Sequence, residues 1–289
     1  MFTLHNDDCL QVMPTIPSGS IDAIITDLPY GTTACKWDTV IPFEPMWKEV
    51  KRVLKPRGVF VTTASQPFTS ALIMSNPSFY SQEIIWDKVN ATGVQSAKKR
   101  MMTRHENIVL FSYGGNTYNP TMVLANKNNI RPKNKGTVSH QEIAPMRSGE
   151  HKSAEDYDIT KRYPSTIYTL SKFSAECNPI ARKRLHRTQK PVALYEYLIK
   201  TYTNEGETVL DICMGSGTTI EAAERTGRNS IGIEKDEGIF QTAVLRLKSL
   251  TPSNNRLYLD VGDSPAQKDL FTPEAGSAAG KSPKPAPRR

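Results

Sequence analysis

The sequence predicts an α/β protein in which a doubly wound, mostly parallel sheet of seven strands carries helices on both faces. Apolar runs typical of buried parallel strands alternate with segments whose apolar residues recur at helical spacing. One strand also leads directly into a Gly-x-Gly loop and a helix, an arrangement typical of α/β sheets. A chain of 289 residues is long enough for one large domain with an additional module.

The N-terminal part, residues 1–114, contains five of the predicted strands. They cover residues 2–5, 21–27, 59–64, 83–86 and 108–111. Three helices are predicted: the first begins near Leu10, and the other two cover residues 43–54 and 67–74. Pro and Gly at 56–58 end the second helix, because proline and glycine interrupt helical structure.

The middle of the chain, residues 115–185, lacks this alternation and is rich in Asn, Lys, Arg, Pro and Ser, which predicts a loop-rich insert. Alternation returns over residues 186–261. The helices predicted there are 191–203, 218–225 and 238–250, and the strands are 208–212 and 229–234. Residues 262–289 are rich in Pro, Ala, Gly, Ser and Lys, which predicts a flexible basic tail.

The charge and the cysteine content indicate what kind of partner the protein binds and in which cellular compartment it works. Lys and Arg number 37 against 29 Asp and Glu, a formal charge of +8 that favours a polyanionic partner. The four cysteines are far apart and form no C-x-x-C pair, so neither a zinc site nor a disulfide framework is indicated. No apolar run reaches the ~20 residues of a membrane span. We therefore expect a cytoplasmic protein without membrane attachment.

The first motif that suggests chemistry is Asp27-Leu28-Pro29-Tyr30, at the end of the apolar run that begins at Ile21. Pro29 lacks an N–H and holds Leu28 extended, so the loop presents a carboxylate and carbonyl oxygens beside an aromatic ring. This combination suits a planar guest with an amino group, such as a nucleobase. An ordinary strand-to-loop exit is the alternative for this motif on its own.

The second motif is the glycine loop, residues 213–219, which follows the predicted strand ending near Asp211. Its glycines allow close backbone approach, and the following helix N-terminus offers unpaired N–H groups to a carboxylate or phosphate. Glu234 ends the next strand, where an acid can accept hydrogen bonds from both ribose hydroxyls. A nucleoside cofactor is indicated. A dinucleotide-binding dehydrogenase would need a third glycine where this chain has Ile220.

The third motif is the stretch from His186 to Pro191, ahead of a predicted helix. Together and in this order, Asp-Leu-Pro-Tyr, His-Arg-Thr-Gln-Lys-Pro and Asp-x-x-x-Gly-Ser-Gly-Thr-Thr resemble the bacterial and phage DNA amino-methyltransferases of the permuted β class. The resemblance covers most of the chain from Phe2 to about Leu250. It implies a circularly permuted, Rossmann-like methyltransferase fold, S-adenosylmethionine as methyl donor and a flipped adenine or cytosine as acceptor.

The resemblance also implies a role for each matched position. The catalytic residues would be Asp27, Leu28, Pro29 and Tyr30. The cofactor-binding residues would be Asp8, Thr188, Gln189, Lys190, Asp211, Cys213, Gly215, Ser216, Gly217, Thr218, Thr219 and Glu234. Three positions depart from the family pattern: Leu28 and Arg187 replace frequent prolines and Cys213 a frequent phenylalanine. Leu28 keeps the backbone carbonyl that the chemistry needs, so we expect activity to survive.

Basic residues in and around the insert, interleaved with tyrosines, are the candidates for contact with double-stranded DNA. They are Lys98, Lys99, Arg100, Arg104, Arg131, Lys133, Lys135, Arg182, Lys183 and Arg184. Each of them alone would be explained by a solvated surface charge. The hypothesis is that residues 115–185 recognise the target sequence. By analogy with the family, a homodimer and a cognate restriction endonuclease are further candidate partners.

The sequence-based prediction of function is methyl transfer to the N6 amine of adenine in duplex DNA, by base flipping and direct in-line transfer. An initial Asp in the catalytic tetrapeptide favours adenine in this family, and a cytosine-N4 enzyme is the near alternative. From another class, the alternative is a catalytically silent DNA-binding regulator. An RNA or small-molecule methyltransferase would leave the basic insert unexplained. No spacing of His105 or His186 supports a metal site.

Overall fold

A computed structural model describes residues 1–33, 38–124, 160–170 and 189–249, and the backbone of 257–260. The strands are β1 Phe2–His5, β2 Ile21–Asp27, β3 Leu54–Ala64, β4 Tyr80–Thr92, β5 Thr103–Phe111, β6 Val123–Leu124, β7 Lys161–Arg162, β8 Ile167–Thr169, β9 Thr208–Asp211, β10 Asn229–Ile233 and β11 Leu257–Asp260. The helices are α1 Cys9–Val12, α2 Phe43–Val53, α3 Phe68–Ser75, α4 Val192–Tyr202, α5 Thr218–Arg225 and α6 Glu237–Lys248. The predicted tail, 262–289, lies outside the described residues.

The main sheet has the strand order β11-β1-β10-β9-β2-β3-β5-β4-β8. Only β5 runs antiparallel to its neighbours, so the predicted mostly parallel α/β sheet is confirmed. The sheet has two strands more than the seven predicted, one at each edge. Both β8 and β11 are only three or four residues long, too short for a clear periodic pattern. Strands β6 and β7 form a separate antiparallel pair.

Alternation along the central strand explains the two helical layers. In β2, Ile24 packs into a core with residues of α1, α2 and α3. Its neighbours Ala23 and Ile25 point to the other face, where they join α4 and α5. Successive side chains of a strand face opposite sides of a sheet, so a continuous apolar run requires cover on both. Helix α6 packs in a third cluster with β1 residues Phe2 and Leu4.

Three strands are longer than predicted: β3 begins at Leu54 instead of residue 59, and polar residues extend β4 and β5. Strand β4 continues to Thr92 and β5 begins at Thr103, whereas apolar patterning indicated only 83–86 and 108–111. The extensions pair with each other, with Asp87 opposite His105 and Thr92 opposite Thr103. Backbone pairing holds these polar residues in the sheet, so the sequence shows no apolar pattern that would have predicted the extensions. Among the described helices, none has the length and hydropathy required to cross a membrane.

Candidate active site

A cavity of about 710 Å³ opens at the carboxyl ends of β1, β2, β9 and β10. Each of these strands supplies an acidic side chain at or just beyond its end, so both halves of the chain face one space. Open α/β sheets bind ligands at this edge. The predicted site residues that line the cavity are Asp8, Asp27, Leu28, Pro29, Tyr30, Gln189, Lys190, Asp211, Cys213, Gly215, Ser216, Thr218 and Glu234.

The Asp27 carboxylate is fixed by three donors. Its Oδ1 accepts hydrogen bonds from the Tyr30 hydroxyl at 2.8 Å and from the Thr63 hydroxyl of the adjacent strand. Its Oδ2 accepts from the Lys190 ammonium at 2.8 Å. Burial and the neighbouring Asp27 charge raise the pKa of Tyr30 well above its ordinary value, so its hydroxyl remains a donor. The Tyr30 ring also stacks on Phe68, with centroids 5.2 Å apart.

Asp38, which belongs to none of the sequence motifs, organises the loop that follows Tyr30. Its carboxylate accepts from the backbone N–H groups of Gly31, Thr32 and Thr33 at 2.8, 2.9 and 2.7 Å. Burial opposes ionisation, but these hydrogen bonds and one from the Thr33 side chain lower the pKa of Asp38. The charged carboxylate therefore holds the loop at the cavity wall.

The glycine loop adopts a backbone that requires glycine at two positions. Gly215 and Gly217 have φ angles of 52° and 78°, in the left-handed region. A Cβ on Gly217 would lie 3.0 Å from Leu247 Cδ1, whereas a Cβ on Gly215 would meet nothing within 4 Å. The loop thus packs against α6 at Gly217 and presents Gly215 to the cavity.

Two acids flank this loop. The carboxylate of Glu234 accepts from the N–H of Gly215 at 3.0 Å and from the N–H of Asp236 at 2.8 Å. Burial raises the pKa of Glu234 despite these hydrogen bonds. Asp8 caps α1 through the Leu10 N–H at 2.9 Å and pairs with Lys235 at 2.9 Å. Partial burial would raise the pKa of Asp8, but the Lys235 hydrogen bond makes the net shift downward.

Arg246, which also belongs to none of the sequence motifs, supports the glycine loop on the side of α6. Its guanidinium donates to the Ser216 carbonyl at 2.9 Å and to the Thr218 hydroxyl at 3.2 Å. It also pairs with the buried carboxylate of Glu221. With its amide oxygen turned toward Arg246, Gln189 accepts from the same guanidinium at 3.2 Å. One buried side chain therefore joins α6, the glycine loop and the segment before α4.

Three predicted cofactor residues lie away from the cavity or outside the described chain. Gly217 and Thr219 are not part of the cavity wall. Thr219 instead contributes a hydrogen bond that favours the ionised form of Asp211, although burial raises the pKa of Asp211 to about 6. Asp211 Oδ1 also accepts from the Thr26 hydroxyl at 2.7 Å. Thr188 lies outside the described residues.

The predicted DNA-binding residues that the structure describes lie on the segment between β4 and β5 or, for Arg104, at the start of β5, and none of them is part of the cavity wall. Lys98, Lys99 and Arg100 are exposed. Arg104 is exposed too, but its guanidinium pairs with Asp87 through two hydrogen bonds of 2.7 Å. The other predicted DNA contacts lie outside the described residues: Arg131, Lys133, Lys135, Arg182, Lys183 and Arg184.

Comparisons with known proteins show the family and the fold of the chain. Residues 21–245 match the model of the N6/N4 DNA methylase family. The Type II methyltransferase M.HinfI of Haemophilus influenzae is 27% identical over 285 residues, covering 89% of this chain and 71% of that protein. The M1.HpyAVI–SAM complex superposes with a TM-score of 0.54 at 22% identity, covering 85% of this chain and 98% of that one. The cytosine-N4-specific PvuII DNA methyltransferase superposes with a TM-score of 0.55 at 17% identity. This match covers 88% of this chain and 90% of that one.

The family match spans well over half of the chain, from the strand that carries Asp27 to the helix that supports the glycine loop. The predicted resemblance is therefore confirmed at the level of the family. The chain belongs to the N6/N4 DNA methylase family.

Proposed function

We propose that the protein transfers a methyl group from S-adenosylmethionine to the exocyclic N6 amine of adenine in duplex DNA. One observation carries this proposal: the Asp27–Tyr30 loop and the glycine loop with Glu234 line the same cavity. An acceptor for an amino group thereby lies beside a site suited to a nucleoside. The volume of about 710 Å³ is within the ~300–1,000 Å³ of small-molecule sites.

The cofactor half of the proposal rests on the glycine loop and its flanking acids. The loop and the N-terminus of α5 suit the carboxylate of the methionine end, and Glu234 suits the ribose hydroxyls. Asp8 also lines the cavity and would contact the adenine of the cofactor. M1.HpyAVI, which shares the fold, was crystallised as a complex with SAM, and this supports the same donor here.

The chemical problem is the weak nucleophilicity of the target amine. The nitrogen lone pair is delocalised into the base, so the amine must be turned toward the sulfonium methyl. Hydrogen bonds to the Asp27 carboxylate and the Leu28 carbonyl would hold both amino hydrogens and direct the lone pair along the line of transfer. Tyr30 would stack on the flipped base. The sulfonium supplies the labile methyl group, so positioning would account for most of the catalysis. As the bond from the methyl group to nitrogen forms, its bond to sulfur breaks and S-adenosylhomocysteine leaves, and the methylated amine gives up one proton to solvent.

The initial Asp of the tetrapeptide favours adenine, while the fold similarity to a cytosine-N4-specific enzyme keeps that base as the second candidate. The exposed basic turn, residues 98–100, supports DNA as the polyanionic partner. The match to a Type II methyltransferase supports a restriction endonuclease with the same target.

The test compares the wild-type protein with Asp27→Ala and with Asp22→Ala, which removes an acid at the other end of β2. DNA incubated with each protein and S-adenosylmethionine is digested and analysed by mass spectrometry for N6-methyladenine and N4-methylcytosine. We expect N6-methyladenine from the wild type and from Asp22→Ala. Asp27→Ala should give at least about a thousandfold less product while binding the cofactor normally by calorimetry. Robust methylation by Asp27→Ala would refute the assignment, and N4-methylcytosine as the product would refute the choice of base.

A further inference from the structure

Four charged side chains form an alternating chain that leads away from Asp27. Lys190 Nζ lies 2.8 Å from Asp27 Oδ2 and 3.4 Å from Glu106 Oε2. Glu106 Oε1 in turn accepts from Lys88 Nζ at 2.8 Å. The four side chains come from β2, the segment before α4, β5 and β4, and each is only 13–26% exposed. Two anions and two cations thus balance one another in a largely buried region.

Lys190 lines the cavity as predicted, but it also makes a contact that the resemblance does not imply. The resemblance implies that it holds the methionine end of the cofactor, yet its ammonium binds the carboxylate expected to receive the target amine. Asp27 Oδ1 already accepts from Tyr30 and Thr63, and Oδ2 accepts from Lys190, so an amino group that binds Oδ2 meets the Lys190 ammonium there. The ammonium also lies over the Tyr30 ring, 5.6 Å from its centroid. A base stacked on Tyr30 would therefore bring its amino group close to the Lys190 ammonium.

Glu106 offers the ammonium a second acceptor within a small movement. Burial alone would raise the pKa of Glu106, but Lys190 and Lys88 lower it, so the carboxylate remains charged at neutral pH. Burial alone would lower the pKa of Lys190, but Asp27 and Glu106 raise it, so the ammonium remains charged. The long flexible stem of lysine allows its head group to move between two acceptors.

We propose that Lys190 and the target amino group compete for Asp27, and that Glu106 is a positioning residue that receives Lys190 when the base binds. This inference rests on the proposed function, because it assigns a role within the same site. Lys190 compensates the buried charge of Asp27 and moves to Glu106 as the amino hydrogens bind Asp27. Glu106 thereby tunes how readily the base enters without touching the base or the cofactor.

The expected signature is a change in KM for DNA without a matching change in kcat. In Glu106→Gln, the neutral amide attracts the ammonium less, so Lys190 stays on Asp27 and competes more strongly with the base. Competition of this kind is overcome by saturating DNA. We expect KM for DNA to rise about fivefold to twentyfold, with kcat changed less than about twofold. Binding of S-adenosylmethionine by calorimetry should not change.

A double-mutant cycle separates this role from a merely structural one. Unmethylated genomic DNA and labelled S-adenosylmethionine are used to compare the wild type, Glu106→Gln, Lys190→Gln and the double variant. Without Lys190, the Glu106 substitution should no longer raise KM, because the competitor is absent. Lys55→Gln is the matched control, since it removes an ion pair of 2.7 Å with Asp22 at the far end of β2.

Three results would overturn the inference: an equal rise in KM in both backgrounds, a fall in kcat alone, or weaker cofactor binding by Lys190→Gln. Weaker cofactor binding by Lys190→Gln would show that Lys190 binds the cofactor, as the resemblance implies. If Glu106→Gln unfolds in a thermal melt, Glu106→Asp keeps a charged partner for Lys88 and should give an intermediate KM. A wild-type protein that methylates no DNA would instead refute the proposed function, so the two failures are distinguishable.

Discussion

The carboxyl of Asp211 is the most deeply buried acid at the cavity edge, and its ionisation opposes folding. Burial raises its pKa to about 6, although hydrogen bonds from Thr219, Thr26 and the Cys213 N–H favour the charged form. A carboxyl with a raised pKa in the folded state contributes stability at low pH. That contribution is lost as the pH rises from about 4 through about 6.

Substitution of Asp211 by Asn should therefore change how stability depends on pH. The amide oxygen can still accept from Thr26 and Cys213 but never ionises. A shift of about two pKa units corresponds to roughly 3 kcal/mol. From pH 4 to pH 8, the free energy of unfolding of Asp211→Asn should therefore rise relative to the wild type by up to this amount. Urea denaturation of both proteins across this range measures it. A difference that does not vary with pH would contradict the prediction.

At this scale, the sequence identified the residues that carry a recognisable pattern. Asp27 to Tyr30 and Glu234 were predicted because they follow apolar strands, and both sets line the cavity. Arg246 has no such pattern, since it is a basic residue on the apolar face of a helix. The contact between Lys190 and Asp27 was not predictable, because the two are far apart in the chain and no local spacing relates them.

At the scale of elements, the connection from β9 to α5 depends on two glycines with different surroundings. Both have positive φ, which an L side chain adopts at a cost of about 1–2 kcal/mol. Gly217 faces Leu247 of α6 closely, and Gly215 faces open space. The loop is thus closely packed where it contacts α6 at Gly217, and it has free space where Gly215 faces the cavity.

Alanine at each glycine should separate these two roles. Gly217→Ala adds contact with Leu247 to backbone strain, so we expect it to lower the free energy of unfolding by about 2–4 kcal/mol. Gly215→Ala should lose only about 1–2 kcal/mol from strain, and its methyl group should weaken cofactor binding by narrowing the cavity. Chemical denaturation and calorimetry of both variants measure these effects. Equal losses of stability would show that the contact with Leu247 does not matter.

Helices and core strands were predictable because their periodicity is complete within a few turns or residues. The bounds of α2, α4 and α5 agree with the predicted ranges to within about two residues. The long β4–β5 ladder was not predictable from either strand, since its polar residues are held by backbone pairing with each other. Its length matters for the site, because Lys88 and Glu106 lie on it.

At the scale of the whole molecule, the two halves of the chain meet at the centre of the sheet. Strand β2 pairs in parallel with β9, and the hydrogen bond between Thr26 and Asp211 joins residues 185 positions apart. The predicted division at 115–185 remains a proposal. Strands β6 and β7 lie within it and pair directly, with Leu124 opposite Lys161. The two ends of the segment between these strands therefore lie next to each other.

This pairing makes the role of the insert testable by deletion. Replacing residues 125–159 with a linker of about five Gly and Ser residues should be tolerated, because paired strands lie only ~5 Å apart. We expect cofactor binding within about twofold of wild type and loss of sequence-specific methylation, since phosphate and base contacts would be removed. Single-molecule sequencing of treated DNA reads the modified sites. A truncation that removes 262–289 is the control, and an unchanged target sequence after the internal deletion would contradict the assignment.

The position of β2 also affects how the chain is made. Ala23, Ile24 and Ile25 are fully buried in the finished sheet, but their partner strand β9 leaves the ribosome only after about 185 further residues. At about 5–20 residues per second, that delay is roughly 10–40 s. During this interval the nascent N-terminal half carries an apolar strand with an unpaired edge, which exposes it to pairing with strands of other chains.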